Sequence, residues 1–390
     1  MTSSNRFSAD CRVLIGGDLC AIQRNEAAFI QGDRAHLLGP FDKVFASADL
    51  RILNIECPLI SRPDPLPKTG PVLGAPREAI VGILAIGVDL AVLANNHIMD
   101  HRTSGLLSTL EALDDARISH VGAGPDLDAA WTPAFVDRCG VRFGVLAVAA
   151  HEYSIAGPNS AGAAPMDPWE MESRVRALAK SCDFPILFVH AGPNKYPWPT
   201  PRLQILCRKL AQWGAGIVVC QHSHIAGAME SVPGGPAGRA TLVYGQGNLF
   251  FDLGARGESE WNRGVLLDVA IQRETLDHQV ELLPYLQSVD GAGLQAMSDD
   301  RQKLWLEAFH RRSRDCQSPE IIRSRYQDWA TSREHETLLL LLSDNRYLKW
   351  LNRKWPWAGR VFSRRRRRLY LNLLRCEDHR ELLETLFEMD

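Results

Sequence analysis

This 390-residue chain is short of net charge and of any cysteine pattern. With 44 Lys and Arg against 46 Asp and Glu, the formal charge is −2, so the chain has none of the overall basicity that draws proteins to nucleic acid. Its 9 cysteines are an odd number scattered with no CxxC pair among them, which argues for reduced thiols rather than a disulfide framework. No apolar run reaches the roughly 18 residues that a membrane helix needs. The opening MTSSNRFSADCRVLIGGD also lacks a charged segment followed by a long apolar one. These absences predict a soluble, cytoplasmic protein. A content of 45% hydrophobic and 23% charged residues describes a globular chain, long enough for one large domain and an appendage.

What the chain does have is a series of apolar runs, each ending in polar residues of one chemical kind. Residues 216–230 read GIVVCQHSHIAGAME, in which the strand-like stretch 217–220 runs into His222 and His224. CRVLIGGD ends on Asp18, with two glycines that predict a tight turn presenting its carboxylate. RILNIE ends on Asn54 and Glu56, DLAVLANNHIMD on Asn95, Asn96, His97 and Asp100, and ILFVH on His190. Ligands of open α/β sheets bind outside the carboxyl ends of the strands, so Asp18, Glu56, Asn96, His97, His190, His222 and His224 are predicted to converge at one edge.

The mixture has chemical sense. Carboxylates neutralise charge, imidazoles are borderline-soft donors and an Asn carbonyl adds a neutral oxygen, a set suited to Mn, Fe or Zn as divalent ions. A bridging carboxylate could hold two ions and so clamp the attacking and leaving oxygens of a hydrolysis. His97, beside Asn96, is placed to donate a proton to a leaving group.

In order, Gly17-Asp18, Asn54-x-Glu56, Asn95-Asn96-His97 with Asp100, His190-x-Gly192, His222-x-His224 with Glu230, and Tyr244-x-x-Gly247-Asn248-Leu249-Phe250-Phe251-Asp252 resemble the motifs of the CapA family. That family takes its name from bacterial capsule and poly-γ-glutamate synthesis and is similar to the calcineurin-like metallophosphoesterases. The resemblance covers about residues 11–270. It implies a four-layer α/β/β/α sandwich with one or two metal ions. Asp18, Glu56, Asn96, His190, His222 and His224 would be the ligands, Glu56 the bridge and His97 the general acid. Asn54, Asn95, Tyr196, Glu230 and Asn248, which belong to these motifs or adjoin them, are candidates for substrate contact.

The departures bear on mechanism. Metallophosphoesterases usually open Asp-x-His, whereas Cys20 follows here, so one ligand is missing or replaced by a thiolate. After His190 the chain reads Pro193-Asn194-Lys195-Tyr196 in place of an aromatic and an acidic residue, and Gln221-His222-Ser223-His224 keeps only the outer spacing of the usual histidine stretch. Many relatives are anchored outside the cell membrane, unlike the cytoplasmic location expected here. A metal-dependent hydrolase of phosphate esters in polysaccharide or polymer assembly is the leading expectation. The alternatives are a non-catalytic accessory protein that binds a polymer or a synthase, and an amide hydrolase.

Helical patterns over 77–86, 103–116, 168–180 and 201–213 alternate with the strands and favour a largely parallel core. Residues 132–149 read as two strands turning at Cys139-Gly140, and 240–244 with 264–272 as a late hairpin or paired strands. A metallophosphoesterase-like domain over 1–285 is then followed by a helical region over 286–390, with helices at 299–312, 321–329, 334–355 and 363–388. The last contains five successive arginines, from Arg364 to Arg368, near Trp350, Trp355 and Trp357. Such a run suits peripheral contact with an anionic inner membrane surface, with RNA as a second anionic candidate.

Overall fold

The structure, a computed structural model, describes residues 9–334 except 69 and 255–256, and after them 337, 346–355, 357, 366–367, 370–371 and 374. Two compact units divide the chain, Met1–Ile322 and Arg323–Asp390.

The longer strands of the first unit are β1 (Cys11–Cys20), β2 (Leu50–Ile55), β3 (Leu90–Val92), β4 (Ser119–Val121), β5 (Ala134–Arg138), β6 (Val141–Ala149) and β7 (Phe184–His190). They are followed by β8 (Ile217–Gln221), β9 (Ala226–Pro233), β10 (Arg239–Gln246), β11 (Asn248–Phe251), β12 (Arg263–Ile271), β13 (His278–Gln287) and β14 (Leu294–Ala296). One sheet has the order β14-β13-β12-β1-β2-β3-β4, with β11 also paired to β1, and the other β9-β10-β8-β7-β6-β5. The first is parallel from β1 to β4 and antiparallel from β1 to β14, and the second is parallel at its centre and antiparallel at both edges.

The period of two in strand side chains builds the layers. On β7, Ile186 and Phe188 share a buried cluster with Val13, Ile15 and Ile52 of the first sheet. Leu187 and Val189, pointing the other way, pack with Met171, Val175, Leu203 and Leu210 of the helices Pro168–Ser181 and Pro201–Gln212. Phe29, Ile83, Leu106 and Leu113 from helices Glu26–Gln31, Ile80–Ala85 and Arg102–Asp115 cover the first sheet. The result is helix, sheet, sheet, helix. The helix starts follow local rules: Asp167 accepts from Trp169 N and Thr200 from Leu203 N, each with proline at the next position.

Two local expectations are corrected. No turn forms at Gly16-Gly17. β1 runs on to Cys20 through an irregularity there, and Gly17 is required because a Cβ would lie 1.9 Å from the Gly247 carbonyl oxygen. Nor do residues 240–244 pair with 264–272. β10 lies in the second sheet and β12 in the first, because Gly245 (φ +100°) and Gly247 (φ +75°) turn the chain from one sheet to the other.

The boundary expected at residue 285 falls inside β13, and strand structure continues to Ala296. The helix Asp299–Asp315 then covers the edge strand β9, with Arg312 donating to the carbonyls of Ala226 and Gly227 and Ser313 accepting from Met229 N. The helix Pro319–Ser332 follows. Within 334–355, Arg346–Lys354 is a described helix. The helix expected over 363–388, and Arg364, Arg365 and Arg368 with it, lies outside the described residues apart from isolated positions. No described helix is long and apolar enough to cross a membrane.

Candidate metal centre

The ends of parallel strands from both sheets deliver the cluster. Asp18 lies on β1, Glu56 follows β2, Asn95 to His97 follow β3, His190 ends β7, and His222 and His224 follow β8. His222 (φ +89°) and His224 (φ +57°) both hold left-handed backbone. Strain of this kind collects at functional sites, where the surrounding structure enforces it.

Two groups of donor atoms meet at Glu56. On one side His190 Nε2 lies 3.0 Å from Asn96 Oδ1, 3.2 Å from His222 Nδ1 and 3.6 Å from Glu56 Oε1. On the other, His224 Nε2 lies 3.7 Å from the same Glu56 oxygen, while its Nδ1 lies 3.3 Å from Asp18 Oδ2. Glu56, His222 and His224 can each offer a ligand atom within 4.8 Å of the others. Glu56 is fully buried, and neither of its oxygens has a hydrogen-bond partner. Lone pairs thus converge with too few hydrogens between them, which is the deficit a divalent cation fills, and the N/O donor set fits Mn, Fe or Zn.

The electrostatics divide the two carboxylates. Burial opposes the Asp18 charge, but the hydrogen bond from His224 and the nearby imidazoles outweigh it and hold Asp18 at about 2. Burial and then the Asp18 charge push Glu56 well above the usual carboxylate range. Burial, followed by the neighbouring imidazoles, pushes His190 down and lowers His222 to about 4, leaving both neutral and able to ligate.

A supporting layer fixes these groups. Asn54 donates to Asp18 Oδ1 at 2.8 Å, Asn95 donates to Asn54 Oδ1 at 3.2 Å, and Asn248 Oδ1 accepts from His224 Nδ1 at 3.0 Å, which leaves Nε2 of that ring for a metal. These three asparagines therefore fix the orientation of Asp18 and His224. Asp100 Oδ2 accepts from His97 Nδ1 at 2.6 Å, and Lys68, its side chain buried, pairs with Asp100 and places its ammonium 3.3 Å from the same His97 nitrogen. Nε2 is the His97 nitrogen outside that pairing.

Two of the candidate residues stand elsewhere. Glu230 is held by Arg208 at 2.8 and 3.1 Å and by the Tyr244 hydroxyl at 2.6 Å, on the helix-covered side of β9. Tyr196 is buried beside Trp198, Leu203 and Tyr244. Cys20 is buried next to Cys57, and burial followed by that contact pushes its thiol well up.

Sequence reasoning missed four residues. Glu152 lies 3.2 Å from Asn96 Nδ2 and 3.7 Å from His222 Nε2, at the exposed rim. It follows β6 much as Glu56 follows β2, a signal that could have found it. Trp261 packs against His224 in a tilted arrangement, ring centres 4.6 Å apart and planes at 37°, and Lys195 lies over Trp261 at 5.8 Å. Lys68, Trp261 and Lys195 carry no local signal, since two arrive on loops and Trp261 on the short 3-10 helix Glu260–Asn262.

Residues 12–253 match the family model described as "Bacterial capsule synthesis protein PGA_cap". Similar curated proteins include "Capsule biosynthesis protein CapA" of Bacillus anthracis, 27% identical over 47% of this chain and 43% of that protein. Another is "PGA biosynthesis protein CapA" of Bacillus subtilis, 29% identical over 41% of this chain and 42% of that protein. Each match thus spans less than half of the relative's own length. A 5'-nucleotidase structure from Candida albicans aligns with 83% of this chain and 57% of its own, at 11% identity and a TM-score of 0.42. On the family match, which covers most of the sandwich and every member of the candidate cluster, this chain belongs to the PGA_cap family of bacterial capsule synthesis proteins.

Proposed function

We propose that the protein is a metal-dependent hydrolase of phosphate esters, acting in the synthesis of a capsule or related polymer. The observation that carries this reading is Glu56, a fully buried carboxylate with two unpartnered oxygens where two sets of donor atoms meet. Burying such a group is costly unless a cation completes it. A divalent ion supplies Lewis acidity toward a phosphoryl or carbonyl oxygen and makes water a better nucleophile near neutral pH.

The chain's own residues divide the remaining work. Asp18, Glu56, Asn96, His190, His222 and His224 hold the ion or ions, with Asn54 and Asn248 fixing ligand orientation. His97, carrying a proton on each ring nitrogen with its Nδ1–H held by Asp100, gives the Nε2 proton to the leaving group and is left neutral. Exposed Lys195 and the rim around Trp261 face incoming substrate, where a cation over an aromatic ring suits an anionic group. The polymer pathway rests on the family and on the names of the relatives.

The test is metal analysis of the native protein, followed by a screen of phosphomonoesters, phosphodiesters and peptide amides. Phosphate-ester hydrolysis that drops about 10²- to 10⁴-fold in His97→Ala with metal content unchanged supports the proposal. A protein that retains no transition metal, or one that cleaves only amides, refutes it.

A further inference from the structure

A second set of ligand-type side chains gathers at the opposite end of β1. Cys11 opens β1, Asp49 immediately precedes β2, and Cys139 occupies the two-residue turn between β5 and β6. Each of the three can offer a ligand atom within 4.8 Å of the other two. Strand rise over the seven residues from Cys11 to Asp18 puts this group on the order of 20 Å from the histidine cluster, so the two share no ligand.

Several features favour a cation here. Cys139 holds φ +51°, in a turn whose positive-φ positions usually go to Asn, Asp or Gly, because other residues cost on the order of 1 kcal/mol there. Nothing in hairpin formation calls for a thiol at that position. Asp49 Oδ2 accepts from Arg12 N at 2.8 Å, which fixes the carboxylate and leaves Oδ1 outside that bond. Burial and the contact with Cys139 push the Cys11 thiol up, so without an ion both sulfurs keep their hydrogens. Two thiolates and a carboxylate around a divalent ion sum to −1. Arg138 is adjacent in sequence, and Arg273 runs beneath Gly140, where a Cβ would meet its Cδ at 3.0 Å; both guanidinium groups can offset that charge.

We propose that Cys11, Asp49 and Cys139 form a site for a thiophilic divalent cation, with zinc the best match to two sulfurs and one oxygen. The fourth tetrahedral position is left to water. Binding releases one proton from each thiol, two per ion. Because Cys11 and Asp49 belong to the first sheet and Cys139 to a hairpin of the second, the ion ties the two sheets together at the end remote from the histidine cluster.

The test titrates the full chain, kept reduced, with cobalt(II), whose thiolate complexes show sulfur-to-metal charge-transfer absorption that imidazole and carboxylate ligands lack. We expect a charge-transfer band that saturates at one equivalent, is lost in Cys139→Ser and is retained in His222→Ala. Cys139 is exposed, so its serine variant should melt within a few degrees of the parent. Asp49→Ala, also at an exposed position, should weaken cobalt binding at the band by about tenfold or more. The proposal is overturned if the parent shows no band, if the band survives Cys139→Ser, or if Cys11 and Cys139 are found as a disulfide under these reducing conditions.

Discussion

Glu56→Gln should uncouple the stability of this protein from metal while leaving the fold in place. The side chain is fully buried, both of its oxygens lack partners, and His190 and His224 approach the same oxygen at 3.6 and 3.7 Å. An ion that binds only the folded state, present at about 100 times its Kd, adds roughly 2.7 kcal/mol. For a chain of 390 residues that is about 3 °C in Tm. The amide has nearly the same shape but carries no charge to bridge two ions. A hundredfold weaker affinity at the same metal concentration leaves about 0.4 kcal/mol, which is under about 1 °C.

Without metal, the variant should melt at or slightly above the parent temperature, because it replaces a carboxyl that burial already disfavours. The assay is calorimetry of chelator-stripped protein titrated with Mn²⁺ and with Zn²⁺, with bound metal counted in parallel. A parent protein whose Tm ignores both ions would refute the reasoning. So would a Gln variant that keeps the full increment.

Lys68→Met and Asp100→Asn should each cost about 3–5 kcal/mol by denaturant unfolding, since each strands a buried charge; the double variant should cost at least about 1 kcal/mol less than their sum, and strict additivity would refute the pairing. Burial opposes the Asp252 charge, but Arg24 and the Gly254 amide hold its carboxyl below the usual value. Its contribution is therefore present above the unfolded value near 4 and lost as pH falls through the folded one. Asp252→Asn should cost about 2–3 kcal/mol at neutral pH and show a shallower loss of stability below about pH 4, and parallel curves for the two proteins would refute this. In the second unit, exposed Tyr347, Trp350 and Trp355 flank Lys354, whose ammonium lies 5.4 and 5.0 Å from the two indole rings. With the run from Arg364 to Arg368, this should bring the protein down with anionic vesicles at about 1 kcal/mol per basic residue and release it as salt rises; absent or salt-insensitive binding counts against the membrane contact.

Much of the fold can be read locally. Ile217 to Cys220 and Ile186 to Val189 are apolar throughout because both faces of their strands are covered, and Asp167-Pro168 and Thr200-Pro201 mark helix starts by capping. The partner of β10 could not be read in this way. Its apolar pattern suits either sheet, and Gly245 and Gly247 decide the matter by conformation. Glu230 illustrates the limit for a site residue. It lies a few positions beyond His224, yet alternation along β9 turns its carboxylate toward Arg208, away from the histidines.

By itself, the sequence determined the apolar runs and the polar residues at their tips, because hydrophobic periodicity and strand ends are properties of neighbouring positions. Only the tertiary structure decided that Lys68 locks Asp100 beside His97, that Glu152 reaches His222, and that Cys11, Asp49 and Cys139 meet at the far end of β1. Those meetings depend on which strands pair and which loops fold back over them. They are fixed by the packing of two sheets, and no local pattern encodes them.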